Sequence, residues 1–144
     1  MNKSELSEMR INYEFIEDYN LLIQKAYGEW STEYYINYIK TILNNKKMLN
    51  VKKIFSDLRN INLEEAFKEI DKLIELRESM INLNYTNVNV VNSPTSTVVS
   101  HLYQDKLAQK GFNNHHYCNT IKTAIELLDL DISESEMNTL LKKI

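Results

Sequence analysis

The stretch NYTNVNVVNSPTST, residues 84–97, is where this 144-residue chain changes character: asparagines alternate with Val88 and Val90, then Ser93, Pro94 and Thr95 follow. Tyr85, Val88 and Val90 are good strand formers, and the alternation suits a strand. A strand needs a partner, however, and working outward from this segment none is apparent. With two glycines and one proline in the whole chain, the remainder reads as apolar residues at three- and four-residue spacing, the pattern of packed helices. Residues 84–97 are therefore expected to form an extended, Asn-rich connection. The chain is expected to be all-α, an irregular bundle of five to seven helices.

Before the connection, Leu6, Met9, Tyr13, Ile16, Tyr19, Ile23 and Tyr27 hold one stripe, which predicts a helix from about Ser4 to Tyr27 ended by Gly28. Ser31 or Thr32 caps a second, with Tyr35, Ile39 and Ile42 inward, ending near Asn44. A third, about Lys46 to Arg59, carries Leu49, Ile54, Phe55 and Leu58. Asn62 and Glu65 form a capping pair that opens a fourth through Ile70, Ile74 and Ile81. After the connection, Thr97 to Lys110 is a fifth helix stopped by Gly111 and covered by Phe112. Asn114 to Leu130 is a sixth. The seventh opens on the Ser133–Glu136 capping box and presents Met137, Leu140 and Leu141. One domain over residues 1–144 is expected, with 1–83 and 98–144 as subdomains joined by 84–97.

Hydrophobic residues at 43% and charged residues at 26% are globular rather than disordered composition. Cys118 is the one cysteine, so no intramolecular disulfide exists to suggest a secreted scaffold. No signal-like or membrane-spanning apolar run is present, and a cytoplasmic location is expected. Heavy use of asparagine, isoleucine and lysine is the mark of an AT-rich coding sequence. The net charge of -3 argues against a general polyanion binder.

Several chemistries can be argued down from spacing. His101, His115, His116 and Cys118 fall within eighteen residues, but on a helix neighbouring ligands diverge by about 100° and no zinc pattern is met. No metal or cofactor is expected. Asp129, Asp131 and Ser133 begin like a calcium loop, yet Glu134 and Leu140 occupy the glycine and bidentate-glutamate positions. Thr123 to Leu141 has the outline of a helix-turn-helix, but its second helix would present Glu134 and Glu136 to phosphates. No catalytic residues are assigned, and the chain is not expected to be an enzyme.

Charge is segregated along the chain. Residues 1–33 hold seven acids and three bases, whereas 34–59 hold six bases and Asp57 alone. Tyr27, Trp30, Tyr34, Tyr35 and Tyr38 adjoin those bases. Aromatic rings beside lysines anchor protein interfaces and also hold single-stranded nucleic acid. The expected partner-binding residues are Trp30, Tyr34, Tyr38, Lys46, Lys47, Lys52 and Lys53. The function expected is that of a small regulatory or inhibitory protein acting by protein contact, of the anti-defence kind encoded by phages or plasmids, with homo-oligomers compatible and no membrane association. The alternative is a nucleic-acid-associated regulator using residues 27–59.

Overall fold

The computed structural model describes residues 7–144, and it corrects the expectation of an all-α helical bundle: the chain is an α/β protein built on a five-stranded mixed sheet. The strands are β1 (Arg10–Ile16), β2 (Leu21–Glu29), β3 (Lys53–Asn62), β4 (Thr86–Val90) and β5 (His115–Cys118). Their order in the sheet is β1-β2-β3-β4-β5; β1 runs antiparallel to β2, and the other neighbours are parallel. Between and after them come α1 (Thr32–Leu43), α2 (Glu64–Phe67), α3 (Ile70–Ser79), α4 (Pro94–Gln109), α5 (Ile121–Leu127) and α6 (Glu134–Lys142).

Of the segment 84–97, Thr86–Val90 is a strand inside the sheet, paired with β3 on one side and β5 on the other, whereas Pro94–Thr97 is already the first turn of α4, capped by Ser93. Three expected helices concealed the other four strands. The first is a hairpin of β1 and β2 joined by a 3-10 turn at Glu17–Tyr19, with Asn20 left-handed; the start of that expected helix, at residues 4–6, lies outside the described residues. The third is a 3-10 turn at Lys46–Asn50 followed by β3, and the sixth is β5 followed by α5. A stripe at three- and four-residue spacing mixes odd and even positions. Where both faces of a strand are covered, consecutive residues such as Leu21, Leu22 and Ile23 are all apolar and buried, so such a stripe can be drawn through them.

Cap chemistry was more faithful. The expected caps Ser31 and Ser133 each accept a hydrogen bond from the backbone N–H three residues on, as do Ser93 and Thr120, which were not expected; the expected Asn62–Glu65 pair does not form, since Asn62 Oδ1 accepts from the Glu64 N–H instead. Phe112 N–H donates to the Leu107 carbonyl at 2.9 Å, closing α4 beyond Gly111. Gly28, at φ +86, is obligatory, since a Cβ there would lie 2.3 Å from the Glu8 carbonyl oxygen.

Helices cover both faces of the sheet. On one, α5 and α6 pack Ile121, Ala124, Ile125, Met137 and Leu141 against Leu21, Ile23, Phe55, Val88 and Val90 in a single apolar cluster. On the other lie α1, α2, α3 and α4, and there the core divides in two. One cluster gathers Leu22, Tyr38, Ile42, Met48, Ile54 and Tyr85; the other gathers Ala26, Ile61, Leu63, Ala66, Leu73, Val99 and Leu107. One sheet takes strands from both sides of residues 84–97. No helix among the described residues is long and apolar enough to cross a membrane.

Candidate functional site: an interior cavity with a polar floor

What divides that second core is a row of polar side chains. Gln24 is paired with Ser56, and Ser56 with Asn89, and Asn89 with Tyr117, so four adjacent strands place polar groups side by side on one face. Asn87 and His115 stand together in the neighbouring row, beside Ile54. Along β2 and β3 the residues flanking this row on the same face, Leu22, Ala26, Ile54 and Leu58, are apolar, as the period of two requires for a buried face. Polar residues at such positions survive burial when they bond to one another. They do. Tyr38 OH donates to Gln24 Oε1, Gln24 Nε2 to Ser56 Oγ (2.7 Å), Ser56 Oγ to Asn87 Oδ1 (3.3 Å) and Asn87 Nδ2 to Asn89 Oδ1 (3.0 Å).

Above this floor is a cavity of about 120 Å³. Its walls come from α1 (Tyr35, Ile39, Ile42), α3 (Leu73, Leu76, Arg77) and α4 (Val99, Ser100, Tyr103), with Tyr85 and Met48 closing the side. Leu43, 42% exposed, also lines it and marks where the wall meets solvent.

Arg77 is the charged group of the cavity, and it is only 4% exposed. Its Nη1 donates to the Met80 carbonyl (2.8 Å) and Nη2 to the Leu83 carbonyl (3.0 Å), which ties the end of α3 to the approach to β4. The rings of Tyr85 and Phe112 lie 4.7 and 4.6 Å from the guanidinium carbon, a cation–π setting that lowers the penalty for burying the charge. Arg77 Nε donates to His115 Nε2 at 3.0 Å. Because arginine can only donate, His115 accepts through Nε2 and carries its proton on Nδ1. That nitrogen is enclosed without a hydrogen-bond partner. Burial first, and the neighbouring Arg77 charge second, push the His115 pKa down to about 4. It is a neutral imidazole at pH 7. Burial likewise raises the pKa of the Tyr35, Tyr85 and Tyr103 phenols, which remain hydroxyl donors.

The residues singled out by sequence are divided between inside and outside. Tyr38 is in the core and bonds the floor. Half-buried Tyr34 accepts from the Ile11 N–H at 3.0 Å. Trp30 is half-buried, donates to Thr32 Oγ1 (2.9 Å) and lies 5.0 Å from the Tyr35 ring. Lys46, Lys47 and Lys52 are exposed. Lys53 projects from the opposite face of the sheet and donates to the Asp129 carbonyl at 2.8 Å. The strand at 115–118 also separates the soft ligands: His115 faces the cavity, His116 and Cys118 the other face, and His101 on α4 pairs with Tyr117 OH at 3.0 Å. Burial raises the Cys118 thiol pKa. Among the described residues no group of three His, Cys, Asp or Glu side chains is placed to hold a metal ion.

Sequence reading missed Gln24, Ser56, Asn87, Asn89, Arg77 and Tyr103. A signal was present for some of them: Ser56 interrupts the run Ile54–Phe55, and Asn87 and Asn89 alternate with valines. Once the segments are strands, that alternation marks one face. The chain matches no protein-family model, no curated protein and no solved structure.

Proposed function

We propose that this protein is a non-enzymatic, ligand-responsive regulator that holds a small organic molecule between the sheet and helices α1, α3 and α4. The observation that carries this reading is the polar row beneath the cavity, set between two apolar clusters. Ligand pockets combine apolar walls with a few convergent polar groups, and the walls and floor here have that composition.

The same segment links the cavity to the surface region expected from sequence. Tyr35, Ile39, Ile42, Leu43 and Met48 line the cavity, while Lys40, Lys46 and Lys47 on the same stretch are exposed. Occupancy that shifts α1 and the following 3-10 turn changes what a partner meets at those lysines. The partner we propose is a protein, in keeping with the exposed Leu43 and Leu49 among them. The cytosol is the proposed setting, on the single cysteine.

Amide NMR spectra of the full chain, recorded against a fragment panel of short-chain amphiphiles, test the reading. Binding should move the resonances of Gln24, Ser56, Asn89 and Tyr103 together, followed by those of the 46–50 turn. Responses confined to surface residues across the whole panel would overturn it.

A further inference from the structure

We infer that the ligand is a small organic monoanion, a carboxylate on a short apolar alkyl body, with its head at Arg77. This rests on the cavity being a binding site. The first observation is charge. The protein has 20 acidic residues against 17 basic ones, yet the cavity lining contains no Asp or Glu and one Arg.

The second observation is how the chain treats its buried charges. Asp57, 2% exposed, is held by Arg59 through two contacts, Nε to Oδ1 at 2.8 Å and Nη2 to Oδ2 at 2.9 Å. Arg77 has no such partner: the ion pairs among the described residues are Lys47–Glu17, Arg59–Asp57, Lys68–Glu65, Lys72–Glu69 and Lys106–Asp71. A buried cation facing an open volume with no counter-ion attracts an anion into that volume.

Geometry sets the approach. A guanidinium has five N–H donors, and three are engaged by His115, Met80 and Leu83. Two remain. Tyr85 and Phe112 sit close over the group, so a ligand reaches the free donors from the edge, the geometry in which carboxylates pair with arginine. Tyr35, Tyr85 and Tyr103 add hydroxyl donors at the cavity wall. One cation and neutral donors suit a single negative charge, whereas a phosphate dianion would leave half its charge uncompensated. Size sets the body. The cavity of about 120 Å³ is smaller than the roughly 150 Å³ interior space that accepts benzene alone, so the body beside the carboxylate is a short alkyl group rather than a ring.

The test uses matched pairs: propionate with propionamide, and isobutyrate with isobutyramide, titrated into the full chain by calorimetry and amide NMR, with sodium chloride and formate as ion controls. The carboxylate of at least one pair should bind about tenfold tighter than its amide and move Ser56, Asn89 and Tyr103. Arg77→Gln should abolish that preference. Because Arg77 also ties α3 to β4, Asn89→Asp is the second variant: it introduces a carboxylate into the cavity and leaves Arg77's carbonyl anchors untouched. It should remove the preference while sparing amide binding. Amides binding in the cavity as tightly as their carboxylates would overturn the anion inference and leave the binding site standing. Formate or chloride matching the larger carboxylates would overturn the apolar body. Failure of both members of both pairs to move the cavity resonances would overturn inference and site together.

Discussion

Acidification should unlock the cavity through His115, and the size of the effect follows from its surroundings. The imidazole is enclosed by Arg77, Tyr85 and Tyr103, with ring centroids 5.6 and 6.0 Å from the two tyrosines. Its pKa falls from 6.5 to about 4, chiefly through desolvation. In the unfolded chain the same group regains its ordinary value and takes up a proton at higher pH. Between those limits the unfolded state therefore binds more protons, and stability rises with pH. The contribution is complete above about pH 6.5, declines as pH falls through the window, and is gone below about pH 4. At about 1.36 kcal/mol per unit, the window is worth about 3 kcal/mol. Carboxylates also titrate near its lower end, so the measurement is a difference. His115→Gln removes the titration and keeps an acceptor for Arg77 Nε. Urea unfolding at pH 7, 6, 5 and 4 should show the wild type losing about 3 kcal/mol more than the variant. A pH-independent difference, or a His115 NMR titration centred near 6.5, would refute the reasoning.

Three further outcomes test the fold. Phe55→Ala should destabilise by about 3–5 kcal/mol in urea unfolding, because Phe55 is fully buried between β2 and β4, while Phe67→Ala, at a ring 54% exposed, should stay within about 0.5 kcal/mol. Gly28→Ala should lower the melting temperature more than Gly111→Ala: both glycines have positive φ, but only at Gly28 does a Cβ strike backbone. Ser133→Ala should cost about 1 kcal/mol in thermal unfolding, since Ser133 Oγ accepts from the Glu136 N–H at 3.0 Å; no loss would mean that α6 is held by its packing alone.

Helix ends were legible and strand cores were not, and the difference is physical. A cap is decided by one side chain and a backbone donor three residues away, so Ser31, Ser133 and the Gly111–Phe112 stop could be read locally. A parallel strand is decided by neighbours far along the chain. β2 pairs with β3 across α1, and β3 with β4 across α2 and α3. With both faces covered, Leu21, Leu22 and Ile23 are all buried, so the alternation that would announce a strand is erased. Only 84–97 kept it, since one face of β4 carries valines and the other asparagines. Alternation alone marks Thr86–Val90 as extended, while its partners β3 and β5 lie too far along the chain to be read with it. Two of its asparagines, Asn87 and Asn89, belong to the floor of the candidate site. The surface region was read from charge, which needs no fold, but which rings would turn inward depended on α1 lying over the sheet. Arg77 gave no signal because nothing in its own helix distinguishes a buried base from a solvated one.

The two faces of the sheet divide the work that a small domain must do. On the α5–α6 face, Ile23, Phe55, Val88 and Val90 form an unbroken apolar surface, sealed by Met137 and Leu128. On the α1–α4 face the residues next to them along the same strands, Gln24, Ser56, Asn87 and Asn89, are polar. Period-two alternation thus gives one set of strands a dry side and a wet side without altering the backbone. Burying a polar row and an uncompensated guanidinium is tolerable because the neighbouring face supplies a continuous core, and because each floor group bonds the next. The exceptions are His115 Nδ1 and the free donors of Arg77, and both belong to one site. A domain selected for stability alone would have filled that row with valine and leucine, as it did one residue away on the opposite face. The polar row is therefore where stability has been given up; on the proposed reading, a bound carboxylate that fills the cavity and neutralises Arg77 would restore it and so couple occupancy of the cavity to the rigidity of α1 and the lysine-bearing turn beyond it.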